Sequence, residues 1–316
     1  MARTIATMTR IGLLTDVASM PLDEDLEPLT AALQALGAEV DPLPWDDASA
    51  TSAPRLRGFD LVVVRSPWNY HHRADAYLAE IDRMATVVAV LNEPALLRWN
   101  IDKRYLDDLA GAGVPVVPTR FVPPGEDLGS ALGQLAVGAS GEFVVKPSVS
   151  AGSKNTARFR GAQTDAAGRL VQDLHRLGKT VMVQPYLDRV DEDGETALVY
   201  LDGRFSHGLR KGPLLRLDAG LVAGTFAEEE MSTRVPDAAQ RRVADRIIAV
   251  LVERFGSAPL YARIDLLDDG EGRPVLLEAE LNEPSLFHLH APGSADRFAA
   301  AIVARAGGRV RPSPPR

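Results

Sequence analysis

Residues 261–287, YARIDLLDDGEGRPVLLEAELNEPSLF, restrict the fold more than any other part of the chain. Leu277, Ala279 and Leu281 alternate there with Glu278, Glu280 and Asn282. A strand places alternate side chains on opposite faces, so one face is apolar and the other carries oxygen. Arg263 and Asp265 share a face of the preceding strand, and the acidic, Gly-rich DDGEG run between them predicts a tight hairpin. Pairing across that turn brings Asp265 toward Glu280 and Asn282. Two carboxylates and a carboxamide on rigid strands suit a hard divalent cation, most naturally Mg2+ carrying nucleotide phosphates. On this segment alone, a hairpin with one solvated acidic face fits equally well.

The 316 residues are 46% apolar and 25% charged, enough to bury a core spread over two or three lobes. A net charge of -8 argues against a nucleic-acid partner, whose phosphates it would repel. There is no cysteine, so disulfides, thiolate metal sites and a cysteine nucleophile are excluded. No apolar run has the length of a membrane span, and residues 1–16 lack a signal-peptide core. A cytoplasmic protein with a small-molecule partner is the expectation. Of the 35 basic residues only five are lysines, at 103, 146, 154, 179 and 211. Where arginine supplies the surface charge, each lysine is a candidate for contact with phosphate oxygens.

Taken in order, the chain alternates strand and helix through residues 1–95. Strands are predicted at Ile11–Thr15, Ala38–Leu43, Phe59–Arg65 and Val87–Leu91, with helices at Asp23–Leu36 and Arg73–Met84. This is the pattern of an open parallel α/β lobe. Ligands of such sheets bind at the carboxyl ends of strands, which makes Arg65, Ser66 and Asn69 candidates for holding a small carboxylate. An ordinary loop with Trp68 packed against a neighbouring lobe is the alternative. The adjacent His71 and His72 diverge and make a poor metal site.

A second lobe is expected over 96–187 and a third over 188–310, with 311–316 a disordered tail. The spacing predicts one amphipathic helix over Leu96–Gly113 carrying Lys103, and then a strand PVVPTRFV. A further helix is expected near Leu128–Leu135. The strand Glu142–Pro147 ends in Lys146 and opens a small-residue loop with Gly152 and Ser153, whose free N–H groups can fold over phosphates. Neither GxxxxGK[ST] nor GxGxxG is present. After a helix at Gln172–Leu177 comes the strand Val181–Leu187, with Gln184 and Tyr186 on one face. Glu195 opens a hairpin that turns at Asp202-Gly203 and ends in Arg210-Lys211. Only one of those last two can point inward. An irregular, mobile loop over Pro213–Glu230 and helices at Pro236–Phe255 and Ala295–Ala306 complete the chain.

A helix lysine, a strand lysine with a glycine loop, a polar strand edge, an Arg-Lys hairpin and an Asp/Glu-x-Asn strand pair follow one another in this order. The order resembles the ATP-grasp superfamily of carboxylate–amine ligases, among them glutathione-synthetase-like and RimK-like enzymes. RSPWNYHHR, KPSVSAG, DGRFSHGLRK and the segment from YARIDLL to ELNEPSLF are similar to the group of the D-cycloserine-forming ligase. The resemblance implies a pre-ATP-grasp α/β domain before a two-lobed ATP-grasp fold, and ATP and Mg2+ as cofactors. It also implies Lys103, Lys146 and the loop of Gly152 and Ser153 on the phosphates. Gln184, Tyr186 and Leu187 would flank the adenine, partly through backbone groups, and Glu195 the ribose. Arg210 or Lys211 would meet the γ-phosphate, and Asp265, Glu280 and Asn282 the metal, with Glu278 an alternative ligand. Asn69 stands where the group often has aspartate, and Asn282 where it often lacks asparagine. The expected activity is ADP-forming ligation of a small amino-acid-like substrate through an acylphosphate, ring-closing in the cycloserine-like case. A kinase or carboxylase on the same fold, or a nucleotide-binding regulator, is the alternative. A homodimer is an expectation from the resemblance alone.

Overall fold

The computed structural model describes residues 8–133, 141–152, 154–215, 217 and 230–307. Ser153, most of the predicted loop over 213–230, the end of the helix expected near 128–135 and the tail lie outside the described residues. The first sheet is wholly parallel. Its strands are β1 (Arg10–Thr15), β2 (Glu39–Pro44), β3 (Leu61–Ser66) and β4 (Val90–Leu91), in the order β2-β1-β3-β4. Every residue of β3 is buried, as a continuous apolar run in a covered parallel sheet should be. β4 is shorter than expected because the N–H groups of Val87 and Val88 both close back on Met84 O, completing the preceding helix.

The helix predicted over 96–113 is two helices, Pro94–Asn100 and Tyr105–Gly111. The Asp102 carboxylate accepts from the Arg104 N–H (3.0 Å), a local turn that competes with the helical ladder. The Lys103 N–H donates to Ser148 O (2.9 Å) instead of to a helical carbonyl. Lys103 therefore sits in the break, facing the loop after Lys146, and not on a helix.

The second sheet is antiparallel, with β5 (Arg120–Val122), β6 (Glu142–Pro147), β7 (Ala157–Arg160) and β8 (Val181–Pro185) in the order β5-β8-β6-β7. The helix Thr164–Arg176 covers it with Ala167, Leu170, Val171 and Leu174. The third sheet, also antiparallel, is β11-β10-β9-β12-β13. Its strands are β9 (Glu195–Leu201), β10 (Arg204–Lys211), β11 (Met231–Thr233), β12 (Tyr261–Asp268) and β13 (Pro274–Glu280). β9 and β10 turn through Asp202 (φ 50°) and Gly203 (φ 72°), the paired positive φ values of a tight two-residue hairpin. The long helix Ala238–Phe255 starts in an Asp237/Gln240 capping box and stops at Gly256 in the left-handed region.

β13 is an edge strand, and the chain covers its outer edge. Leu276 exchanges backbone hydrogen bonds with Pro115 and Val117, which explains why the strand expected at PVVPTRFV keeps only residues 120–122. Farther along, the Ala279 N–H donates to the Tyr105 hydroxyl and Asn100 Nδ2 donates to Ala279 O. Leu281 N–H donates to Asn100 Oδ1, and Asn92 Nδ2 donates to both Leu281 O and Tyr261 O. Among the described residues no helix is long and apolar enough to cross a membrane.

The first and last parts of the chain share one core. Ile11, Leu33 and Val63 of the parallel layer pack with Val199, Tyr261, Phe298 and Ile302. A buried charge cluster reinforces this junction. Arg65, with no exposed surface, pairs with Asp23 (3.3 Å) and Asp25 (3.6 Å) and donates to Pro284 O (2.9 Å). Asp25 in turn accepts the N–H groups of Leu286, Phe287 and His288 and so holds Phe287 at φ 57°.

Asp25→Ala should lower the unfolding free energy by about 3–5 kcal/mol in urea titrations, because it strips a charge from Arg65 and a partner from three amides. Burial alone would raise the Asp25 carboxyl, but Arg65 and then His288 outweigh it and hold it below the usual carboxylate range. Burial pushes His288 down to about 4, helped by Arg65 and His207 and opposed by Asp25 and Asp23. Both folded-state values are depressed. Stability should therefore rise with pH from about 4 to about 6.5, the ordinary histidine value, and fall further as acid reaches Asp25. Urea midpoints between pH 3.5 and 7.5 read this directly.

Candidate active site

The second and third sheets face each other across a cavity of about 750 Å³, bounded at one end by Leu22–Asp25 and Trp68 of the first lobe. Its walls change character along their length. One region is apolar: Val117, Val144, Tyr186, Leu267 and Leu277 form a slot in which Gln184 is fixed by donating to Thr119 Oγ1 (2.8 Å). The Tyr186 hydroxyl bonds Asp191, and the Arg158 guanidinium lies 3.4 Å over its ring. Its N–H is already paired with Glu142 O, so among backbone donors near the slot this one is occupied.

The central region is a lattice of buried ions supplied by separate elements. Lys103, from the helix break, pairs with Glu278 Oε1 (3.0 Å) and donates to Ser150 O (3.1 Å). Lys211, at the end of β10, bridges Glu195 (2.9 Å) and Asp265 (3.1 Å). Arg263 grips Asp265 (3.0 Å) and also pairs with Glu280. Lys146 lines the same cavity, buried, and its ammonium forms none of the ion pairs that hold Lys103 and Lys211. Burial, with Lys103 and Lys211 nearby, lowers its pKa despite Glu278 and Glu195.

The carboxylates differ sharply. Burial would raise Asp265, but Arg263 and Lys211 outweigh it and keep it ionised. Glu278 is likewise held low against burial by Lys103 and Lys146. Glu280 is pushed up to about 7 by burial and then by Glu278 and Asp265, against the pull of Arg263. Glu283 is pushed up to about 8 by burial and then by Glu280. The crowding of carboxyl groups on one wall thus appears as raised proton affinity at Glu280 and Glu283, while Asp265 and Glu278 stay low beside their cations.

The register of the hairpin differs from the expectation. Asp265 lies opposite Glu278, and Arg263 opposite Glu280. Asn282 lies beyond the end of β13, where strand alternation no longer governs direction. Its carboxamide donates to Leu97 O (3.1 Å) and Asn100 Oδ1 (3.3 Å) and accepts from Tyr77, outside the cavity. Glu278, weighed only as an alternative, takes the place beside Asp265.

Lys103, Lys146, Gly152, Gln184, Tyr186, Leu187, Glu195, Lys211, Asp265 and Glu280 all line the cavity. Arg210 does not; it donates to Asp193 O and Glu192 O on the other face of β10. Arg65, Ser66 and Asn69 also stay out. Arg65 is spent on Asp23, Asp25 and Pro284, Ser66 on Thr15, and Asn69 on Trp45, Asp46 and Asp16. From that loop only Trp68 reaches the cavity, with Nε1 donating to Glu283 O (2.9 Å). Sequence reasoning passed over Glu283 and the Asp23–Asp25 run as cavity residues, and gave Arg263 no role. The only sign for Arg263 was its shared face with Asp265.

Mg2+ commonly takes one or two carboxylates and completes its shell with water and substrate phosphates. Asp265, Glu278 and Glu280 supply hard oxygen donors on one wall, and their mutual repulsion is of the kind a divalent cation relieves. Among the described residues no ready-made cage of three or more such groups exists. The donor set fits an ion that arrives with phosphates.

Two facing antiparallel sheets around a cation-rich cavity, behind a parallel α/β lobe, are the arrangement of the ATP-grasp fold. The crystal structure of D-alanine–D-alanine ligase from Bacillus anthracis complexed with ATP has this fold, with a TM-score of 0.67 at 13% identity over 95% of this chain and 98% of that one. The likeness extends to sequence for a narrower group. Residues 6–92 match the family described as the N-terminal domain of D-cycloserine synthetase DcsG. The cycloserine biosynthesis protein DcsG of Streptomyces lavendulae is 37% identical over 299 residues, 93% of this chain and 98% of the relative. The crystal structure of D-cycloserine synthetase DcsG gives a TM-score of 0.84 at 36% identity, covering 94% and 99% of the two chains. The chain belongs to the DcsG family.

Asn282→Ala should cost about 1–3 kcal/mol of stability in chemical denaturation, because it leaves the buried Leu97 carbonyl and Asn100 amide short of a partner. In isothermal titration it should leave the Mg2+ dependence of nucleotide binding nearly unchanged. A large loss of that dependence would return Asn282 to the metal.

Proposed function

We propose that the chain is an ADP-forming carboxylate–amine ligase that closes a ring within one amino-acid-like substrate, as in cycloserine formation. The observation that carries this reading is the convergence of Lys103, Lys146, Lys211 and Arg263 beside Asp265, Glu278 and Glu280, with an apolar slot to one side. The slot suits a purine, with Gln184, Tyr186 and Leu187 at its rim and Glu195 within reach of ribose hydroxyls. The lysines suit the phosphates of ATP, and the small-residue loop at Gly152 can close over them. Asp265, Glu280 and Glu278 would hold Mg2+, which would supply charge neutralisation for the phosphates.

The chemistry needs no nucleophilic side chain. A carboxylate is a poor electrophile. Accepting the γ-phosphoryl group of ATP makes it an acylphosphate and releases ADP; a substrate nitrogen then attacks the acyl carbon, expels phosphate and loses a proton as the C–N bond forms. Positioning and charge compensation are what such a transfer demands of a protein. Lys146 and Lys211 offset charge on the transferring group, Arg263 faces the acyl oxygens, and the burial of the site excludes water from the acylphosphate. D-Cycloserine contains a C(=O)–NH–O unit closed in a ring, so a matching substrate is a D-serine derivative bearing nitrogen on its side-chain oxygen. The proposal includes action in the cytoplasm, where ATP is supplied, and a homodimer, which light scattering tests.

The test is ADP and phosphate release with Mg-ATP over D- and L-amino acids, dipeptides and O-linked nitrogen derivatives of serine. Product masses identify the bond formed. Substrate-dependent release should fall by about 10²-fold or more in Glu280→Gln and Lys146→Met. Lys211→Ala should fall comparably and Arg210→Ala far less. Absence of nucleotide binding with Mg2+ present would overturn the reading, and a stable phosphorylated product would make the enzyme a kinase.

A further inference from the structure

We infer that Glu283 recognises the ammonium group of the substrate, so that the enzyme selects α-amino acids over their desamino counterparts; this rests on the ligase reading above. Glu283 lines the cavity and is 8% exposed. Each of the other buried carboxylates there has a cation at ion-pair distance. Asp23 and Asp25 have Arg65, Asp265 has Arg263 and Lys211, and Glu278, Glu280 and Glu195 have Lys103, Arg263 and Lys211. Among the described residues Glu283 has none at that distance; Lys103, already paired with Glu278, acts on it only from farther away. The Tyr70 hydroxyl bonds it, but a phenol brings no charge.

The backbone around Glu283 is fixed. Its carbonyl accepts from Trp68 Nε1 (2.9 Å), Pro284 O from Arg65 (2.9 Å) and Ser285 O from Arg263 Nη1 (3.0 Å). The backbone that carries the carboxylate therefore cannot shift without breaking three bonds to side chains of other elements. A buried carboxyl without an ion-pair partner favours its protonated form, and a ligand that brings a positive charge favours the carboxylate and pairs with it. Divalent metal is the less suitable occupant, because the oxygen donors that cluster in register are Asp265 and Glu278, on the paired strands. A primary ammonium offers three donors and one positive charge. Arg263, hydrogen-bonded two residues downstream, presents the opposite charge to the substrate's carboxylate, so the two residues together match a zwitterionic amino acid.

The probes are D-cycloserine and isoxazolidin-3-one, the same ring without its amine, titrated calorimetrically into the full chain with Mg-ADP at a pH where the amine is protonated. The wild type should prefer D-cycloserine by roughly 10- to 100-fold, the range of a charge-assisted hydrogen bond. In Glu283→Gln, shown to be folded by circular dichroism, the preference should collapse to about 3-fold or less. Glu283→Asp keeps the charge but withdraws it, and should retain an intermediate preference. A merely structural role would weaken both rings alike and leave their ratio unchanged. An undiminished ratio in Glu283→Gln, or equal binding of the two rings by the wild type, overturns the inference and leaves the ligase reading intact. If the wild type binds Mg-ADP and neither ring, the cycloserine-type substrate reading fails, and the inference fails with it.

Discussion

Compensation of buried charge is the constraint on which the rest of this structure depends. An ion removed from water without a partner costs several kcal/mol, so each charge in the cavity demands its opposite from somewhere in the chain. The opposites come from different elements. Glu278 on β13 is balanced by Lys103 from a helix break, and Asp265 on β12 by Lys211 from β10 and by its own neighbour Arg263. Glu195 on β9 shares Lys211. These pairs are weak as sources of net stability, yet each one penalises any docking in which its partner is missing. The lattice thus specifies how strand, break and hairpin meet more than it strengthens their meeting.

The same logic, applied to backbone groups, explains the asparagines. An edge strand leaves N–H and C=O groups without partners, and β13 is both an edge and a cavity wall. Asn92, Asn100 and Tyr105 bond the groups of Ala279 and Leu281, and Asn282 ties the chain leaving β13 to the helix below it. A carboxamide suits this task because it donates and accepts at once. The first lobe is therefore bound to the catalytic sheet by the edge, by a shared apolar core and by the Arg65 cluster. Its contribution to the cavity, through Asp23–Asp25 and Trp68, depends on all three.

Much of this was legible in the sequence, for identifiable reasons. The alternation at 277–282, the EFVVKP strand and the Asp-Gly hairpin are local patterns, and the elements formed where those patterns lay. Register is not local. A bulge between Asp265 and Leu266 sets Asp265 against Glu278, and no periodicity within either strand records it. Asn282 continued the alternation on paper but lies past the strand's end. Lys103 had helical spacing around it, and the break there shows in the Asp102–Arg104 turn and in the tertiary bond of the Lys103 N–H to Ser148 O. Arg65 looked like a free guanidinium at a strand's carboxyl end; its partners Asp23 and Asp25 lie some forty residues earlier. Glu283 was passed over because its significance is the lack of a cation, a property of the assembled cavity and not of the residue.

The ion pairs in the site also bear on the order of events in the proposed reaction. Lys103 and Lys211, assigned to phosphates, are held by Glu278 and Asp265, carboxylates suited to the metal. A triphosphate that draws the lysines toward itself leaves those carboxylates short of positive charge. A metal entering alone would compete with the lysines and Arg263 for the carboxylates, and a nucleotide entering alone would leave the carboxylates repelling one another. Nucleotide and metal arriving together exchange one set of neutral pairs for another, at little net electrostatic cost. Glu283 takes no part in that exchange. Lys103 acts on it only from beyond ion-pair distance, so a close counter-charge has to come from the amino-acid end, which gives the two ends of the cavity different electrostatic requirements and so separate specificities.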